Sequence, residues 1–117
     1  MARTVRIPLE RLAAYFDWFT RRFLRDGSPK AVDVEVLEPE LGAQYAAQGA
    51  RLLGISYDDR ADSLEFMFDV GDHRVFEPQE VWVIERSDGF ISVVEVVRPD
   101  GRCDVVRVQH VGLRRIE

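Results

Sequence analysis

Residues 80–110, EVWVIERSDGFISVVEVVRPDGRCDVVRVQH, decide the fold class. They contain three stretches rich in β-branched and aromatic residues, a composition typical of strands. The two connections, RSDGF and RPDGR, place Gly89 and Gly101 where a type I turn followed by a bulge needs a positive φ. Pro99 is preset for the second position of the later turn. Because connections this short leave no room for parallel crossovers, the pattern predicts antiparallel neighbours.

Two of these strands are apolar on both faces, namely EVWVIE (80–85) and ISVVEVV (91–97). By contrast, SLEFMFDV (63–70) alternates apolar and polar residues, as a half-exposed sheet does. We therefore expect the long helix to cover one face of the apolar strands. The other face needs a fold-over of the sheet or a partner. A strongly curled sheet or a partly closed barrel would cover both faces within one chain.

The N-terminal segment predicts an amphipathic helix that begins near Pro8. At 100° per residue its apolar side chains fall on one side, and the sequence DGSPK (26–30) ends the helix. The predicted core side consists of Leu9, Leu12, Ala13, Phe16, Phe19, Thr20, Phe23 and Leu24.

Alternating or β-rich stretches predict further strands at 32–36, 51–58 and 73–77, with a possible edge strand at 4–7. EPELGAQYAAQG (38–49) predicts a short second helix near residues 39–48. The fold expected for residues 1–117 is a single α+β domain. It has an N-terminal helix packed on a curled antiparallel sheet of about six strands. A small β-barrel capped by the helix is the alternative.

Composition favours a globular cytoplasmic protein. The chain has 117 residues, of which 46% are hydrophobic and 32% charged. No apolar run approaches the roughly 18–20 residues of a membrane helix. Charges also occupy the N-terminal positions where a signal peptide would be apolar. The single cysteine, Cys103, forms no internal disulfide.

No local pattern predicts catalytic residues, metal ligands or a cofactor. His73 lies near Asp69 and Asp72 without a second group at ligand spacing. Cys103 and His110 are about 23 Å apart on an extended strand, so they cannot form a nucleophile–base pair. Whether His73, Asp72 or Cys103 line a pocket depends on tertiary structure. An enzymatic or small-molecule site assembled from distant strands therefore remains an alternative.

Five helix residues stand out as candidates for a protein interface: Arg11, Tyr15, Trp18, Arg22 and Arg25, here called the helix surface. On a helical wheel Trp18 points away from the core side, and Trp, Tyr and Arg are enriched at interface hot spots. The interpretation is a non-catalytic domain that forms a homodimer or binds another protein through this surface. The simplest alternative is that arginine stems or a chain terminus cover Trp18.

The same residues would suit a binder of single-stranded nucleic acid, with bases stacked on Trp18 and phosphates on the arginines. Charge disfavours that alternative. Residues 1–30 carry seven basic and three acidic groups, whereas the other 87 residues carry nine basic and eighteen acidic groups. The bulk of the chain therefore has a net charge of −9, which repels phosphates.

Several longer stretches carry a resemblance: VEVLEPELGAQ, LLGISYDDRADSLEF, DHRVFEPQEVWV and VVRPDG, in this order after an amphipathic helix. With them the chain resembles a bacterial domain family of unknown function over nearly its whole length. The LGAQ and GISYD stretches are the more specific parts. The resemblance implies a small stand-alone bacterial protein. It implies no activity, cofactor or catalytic residue.

Overall fold

Eight strands and one helical segment make up residues 1–110, the part of the chain that the computed structural model describes. The strands are β1 (Ala2–Ile7), β2 (Lys30–Glu38), β3 (Gly42–Asp58), β4 (Ser63–Phe68), β5 (Gly71–Phe76), β6 (Glu80–Arg86), β7 (Ile91–Val97) and β8 (Cys103–His110). All neighbours are antiparallel, in the order β1-β6-β7-β8-β2-β3-β4-β5. An antiparallel sheet with a helix is therefore confirmed, but the prediction of about six strands was too low.

The sheet is open, because β1 and β5 are edge strands without a second neighbour among residues 1–110. A closed barrel would pair these two edges, so the barrel alternative is not observed. The edge strand expected at residues 4–7 is present as β1, which pairs with β6.

The second helix predicted near residues 39–48 is wrong. Residues from Gly42 onward belong to β3, whose first half pairs with β2. Gly42 and Gly49 have φ values of 77° and 64°, which a right-handed helix does not allow. Alanine and glutamine favour helices locally, but pairing with an apolar neighbouring strand outweighs a preference of a few tenths of a kcal/mol per residue.

The turns between β6, β7 and β8 follow the prediction. Gly89 and Gly101 have φ values of 93° and 91°. Each donates its amide hydrogen to the carbonyl three residues earlier, which closes the turn.

The sheet folds over itself along β3. The first half of β3 extends the layer made by β1, β6, β7, β8 and β2, whereas its second half pairs with β4. In a flat sheet, four strand spacings would place β5 about 19 Å from β8. Yet His73 Nε2 in β5 lies 2.6 Å from Asp104 Oδ2 in β8. The strands β3–β5 must therefore lie across the inner face of the larger layer.

The helical segment packs inside this curl. It consists of a 3-10 turn (Leu9–Arg11), the helix α1 (Leu12–Phe19) and a widened π turn (Thr20–Leu24). Five of the predicted core residues are buried: Leu12, Phe16, Phe19, Thr20 and Phe23. Leu9 is exposed, because the chain there is still in a 3-10 turn, which rotates each residue further than an α-helix does. Ala13, in α1, is exposed as well.

Buried side chains of both layers and the helix form one hydrophobic core. On the larger layer, the residues that face this core alternate with residues on the opposite side, which we call the outer face. Of the two apolar faces predicted for β6 and β7, the inner one is therefore covered by the fold itself.

Candidate interaction surfaces

The helix surface is only partly available, because three of its five residues contact their own chain. The Tyr15 hydroxyl donates a hydrogen bond to Glu85 in β6. Burial, and then this bond, raise the pKa of Tyr15 above its ordinary value. The Arg22 guanidinium lies 4.7 Å from the centre of the Phe23 ring. Arg11 and Arg25 are exposed and form no ion pair with residues 1–110.

Trp18 lies between solvent and the turn that joins β6 to β7. Its side chain keeps 42% of its surface exposed. The ring is so close to Gly89 that a β-carbon there would sit 2.8 Å from ring atom Cη2. It also meets Phe23 edge to face, with ring centres 5.8 Å apart. The π turn makes this contact possible because it brings residues five apart together. Trp18 therefore packs the end of the helix against the turn, and part of its indole remains exposed to solvent.

The sequence singled out His73, Asp72 and Cys103, and the structure keeps them apart. His73 points inward to Asp104, whereas the neighbouring Asp72 is exposed and pairs with Arg74 at 3.2 Å. Cys103 neighbours Asp104 in β8 and faces the opposite side of the sheet. Burial, followed by the charges of nearby carboxylates, raises the pKa of Cys103 to about 11. A thiol with that pKa is protonated at neutral pH and is a poor nucleophile.

A buried polar cluster joins the two layers where His73 meets Asp104. Asp104 is fully buried and accepts hydrogen bonds from Arg98 Nε at 2.6 Å and from Arg98 Nη2 at 2.7 Å. Burial opposes ionisation of this carboxyl, but the bonds from Arg98 and His73 outweigh burial and hold the pKa of Asp104 below its ordinary value. Both carboxylate oxygens of Asp104 thus have partners inside the protein. The cluster connects β5 to β8 and has a structural role.

The outer face carries apolar side chains from four neighbouring strands. Because the strands alternate, the apolar side chains that β6 and β7 place opposite the core lie beside those of β8 and β2. Its apolar members are Leu37, Trp82, Ile84, Val93, Val97 and Val105. An open depression of about 260 Å³ on this face is lined by Thr4, Trp82, Val83, Ile84, Val93 and Glu95. The helix does not reach this side, since α1 packs on the inner face.

One row across the outer face combines both charges with an aromatic ring. Arg6, Trp82 and Glu95 are direct cross-strand neighbours in β1, β6 and β7. The Arg6 guanidinium lies 5.9 Å from the Trp82 ring centre, and Trp82 Nε1 donates to Glu80 Oε1 at 3.0 Å. Within residues 1–110, neither Arg6 nor Glu95 forms an ion pair. The two-sided apolarity of EVWVIE signalled this face, but not which charges would flank its Trp.

Two classes of feature are absent from the described part of the chain. Residues 1–110 contain no group of three or more His, Cys, Asp or Glu side chains placed to hold a metal ion. None of the helical segments there is long and apolar enough to cross a membrane.

Comparison with known proteins identifies the family. Residues 3–112 match the model of a family of unknown function, DUF5335. An uncharacterized protein of Aquifex aeolicus (strain VF5) is 34% identical over 107 residues, which cover 91% of this chain and 92% of the Aquifex protein. No solved structure matches the chain. With a match over nearly its whole length, and with a bacterial relative of the same size, the chain belongs to the DUF5335 family of unknown function.

Proposed function

We propose that the protein is a non-catalytic, cytoplasmic interaction domain that self-associates through its outer face. The observation that carries the proposal is the group of partly exposed apolar side chains near Trp82, on the side of the sheet that the helix does not cover; its members are Ile84, Val93 and Val97. A contiguous apolar patch on a protein surface marks an interaction site more often than scattered exposed residues do.

The size of the face fits a stable interface. Five strands about 4.8 Å apart and seven residues long span roughly 600 Å² of plane, and the accessible area of a corrugated surface is larger. Stable complexes bury about 800 Å² per partner. A side chain as large as Trp82 contributes several kcal/mol when it is fully buried, at about 25 cal/mol per Å².

The state of two reactive side chains within residues 1–110 supports a non-catalytic role. Two side chains that could take part in chemistry, Asp104 and Cys103, are held in unreactive states. Asp104 is saturated by Arg98 and His73, and burial keeps Cys103 protonated. Neither group is left poised for proton transfer or nucleophilic attack.

The helix surface is a second candidate for the same function, because Trp18 remains 42% exposed beside two arginines. It offers less area, since Trp18 already packs on Gly89 and Tyr15 is bound to Glu85. The two surfaces can be separated by one substitution in each.

Sedimentation velocity tests the proposal, with wild type, Trp82→Ala and Trp18→Ala measured from about 1 to 100 μM. We expect wild type to be a dimer. Only Trp82→Ala should be monomeric, because only this variant removes apolar area from the outer face. Phe76→Ala is the matched control, since Phe76 is 57% exposed on the edge strand β5. Circular dichroism verifies that each variant is folded.

Each other outcome has a definite meaning. A wild-type monomer at 100 μM would rule out self-association. Dissociation by Trp18→Ala, with Trp82→Ala still dimeric, would move the interface to the helix surface.

A further inference from the structure

We propose that the free edge of β3 at residues 42–48 binds an extended segment of another protein, which joins the sheet as an additional strand. This stretch, GAQYAAQ, is here called the open edge. Binding there uses main-chain groups at the edge of the sheet, whereas the proposed function uses side chains of the outer face. The open edge therefore adds a second binding site to the one proposed above.

Within the described residues 1–110, each half of β3 has a strand on one side only. Residues 42–51 pair with β2, and residues 52–58 pair with β4. In the second half the helical segment covers the side without a strand, because the Thr20 hydroxyl bonds both the amide and the carbonyl of Ile55. In the first half, the main-chain groups of the open edge that point away from β2 form no hydrogen bond within residues 1–110. Six of the seven residues are exposed, so another chain can reach these groups.

The open edge lacks the charges that protect the other two edges of the sheet. β1 carries Arg3 and Arg6, and β5 carries Asp72 and Arg74. Charged side chains on an edge strand discourage a second chain from pairing there. The open edge has no charged residue, and four of its seven residues are alanine or glycine. Small, uncharged side chains leave the backbone accessible to a neighbouring strand.

The first part of the open edge is regular. Gly42–Tyr45 lie opposite Glu38–Glu35 of β2, one residue against one. The register shifts only after Tyr45, where β3 turns from the larger layer toward β4. A regular strand presents its amides and carbonyls at the spacing that another strand matches. A partner strand can therefore pair along this part without distortion.

A cleft continues from the open edge into the gap between the two layers. It has a volume of about 400 Å³ and lies between residues 46–50 of β3 and residues 68–72 around the turn from β4 to β5. Val70, which lines this cleft, is 82% exposed. At the other end of the open edge, Leu41 and Tyr45 are 68% and 55% exposed. Apolar contacts are thus available to a docked strand at both ends.

These features specify the chemistry of the partner. A row of main-chain donors and acceptors is matched by the backbone of another extended chain, and side chains at alternate positions then provide specificity. A charged side chain laid against the uncharged open edge would lose hydration without gaining a counter-ion. The partner is therefore an extended segment of about five or six residues with uncharged, partly apolar side chains.

Selection from a peptide display library tests the proposal. Random peptides of about twelve residues, long enough to form one strand, are selected on the folded protein. An enriched peptide is then synthesised with a fluorescent label and titrated with wild type, Gln44→Lys and Gln109→Lys. Gln44→Lys gives the open edge a charge of the kind that β1 and β5 carry, so it should raise the dissociation constant at least about tenfold. Gln109→Lys, at an exposed position of the central strand β8, is the matched control and should leave the constant unchanged.

Hydrogen exchange locates the bound peptide without any substitution. Amides of the open edge should exchange at least about tenfold more slowly when the peptide is bound, because they become hydrogen-bonded to it. Amides of β1 and β5 should exchange at the same rate with and without peptide. Circular dichroism verifies that both lysine variants are folded.

The outcomes separate this proposal from the proposed function. Slower exchange at the open edge, together with weaker binding by Gln44→Lys, supports it. It is overturned if no enriched peptide binds more tightly than about 100 μM, or if the peptide protects the outer face or the helix surface instead. Open-edge amides that are protected in the free protein and lose protection on dilution would identify a second copy as the occupant and also overturn it. Trp82→Ala, which tests the proposed function, should bind the peptide as wild type does.

Discussion

At the scale of single residues, Asp104 shows how a charge becomes tolerable inside this protein. Its carboxylate is fully buried, and three hydrogen bonds from Arg98 and His73 replace the lost water. Because these bonds hold the folded-state pKa below the ordinary 3.8, the carboxylate stabilises the fold at pH values above about 4. That stabilisation is lost as the pH falls through the depressed folded-state pKa.

We therefore predict that Asp104→Asn lowers the free energy of unfolding by about 3 kcal/mol at pH 7, since it leaves Arg98 without a counter-ion. Urea unfolding at pH 7 and pH 3 measures this. The loss should shrink at pH 3, because this pH lies below the ordinary pKa of 3.8 and the unfolded wild-type chain then binds a proton that the folded carboxylate resists. The exposed Asp59→Asn serves as the control. An equal loss at both pH values would mean that shape, not charge, makes Asp104 stabilising.

At the scale of elements, the end of the helical segment is held to β3 by one hydroxyl. Thr20 Oγ1 donates to the Ile55 carbonyl and accepts from the Ile55 amide, both at 3.0 Å. Gly54 precedes this point, where β3 and β4 shift register, and a β-carbon there would sit 2.8 Å from a Met67 atom. The missing β-carbon at Gly54 therefore leaves room for Met67 of β4. Thr20 satisfies backbone groups of Ile55 that would otherwise be buried without partners.

Thr20→Val keeps the shape of the side chain and removes both bonds. We predict a loss of about 2 kcal/mol, because an unsatisfied buried amide or carbonyl costs roughly 1–3 kcal/mol. Thermal and urea unfolding provide the measurement, with exposed Ser56→Ala on the same strand as control. Stability within about 0.5 kcal/mol of wild type would show that water reaches Ile55 and replaces the hydroxyl.

At the scale of the whole molecule, net charge disfavours nucleic acid as a partner. The net charge is −5, and the arginines of the helix surface are few beside the carboxylates of the sheet. We predict that single-stranded oligonucleotides bind no more tightly than about 10 μM at physiological salt. Fluorescence anisotropy over a range of salt concentrations checks this. A submicromolar complex that weakens with salt and disappears in Trp18→Ala would identify the helix surface as a nucleic-acid site.

Local pattern alone accounts for most of the elements. The β-rich stretches, the turns at Gly89 and Gly101 and the buried side of the helix follow from the periodicity of side chains and from backbone preferences, which act over a few residues. Local pattern gave the wrong prediction for residues 39–48. Their composition favours a helix, but pairing with β2 makes most of them part of β3. The wheel placed Trp18 outside the core, and its side chain is 42% exposed, but the contact with Gly89 depends on tertiary structure.

The sequence by itself determined the class of the fold, an antiparallel sheet packed with an N-terminal helix, and showed that β6 and β7 would have two apolar faces. Only the tertiary structure decided which residues meet across long separations. It brought His73 to Asp104 by folding the sheet along β3, and it placed Arg6 and Glu95 on either side of Trp82 by pairing β1 with β6. The physical reason is that strand order and the fold-over depend on how the whole core is covered. No short stretch carries that information.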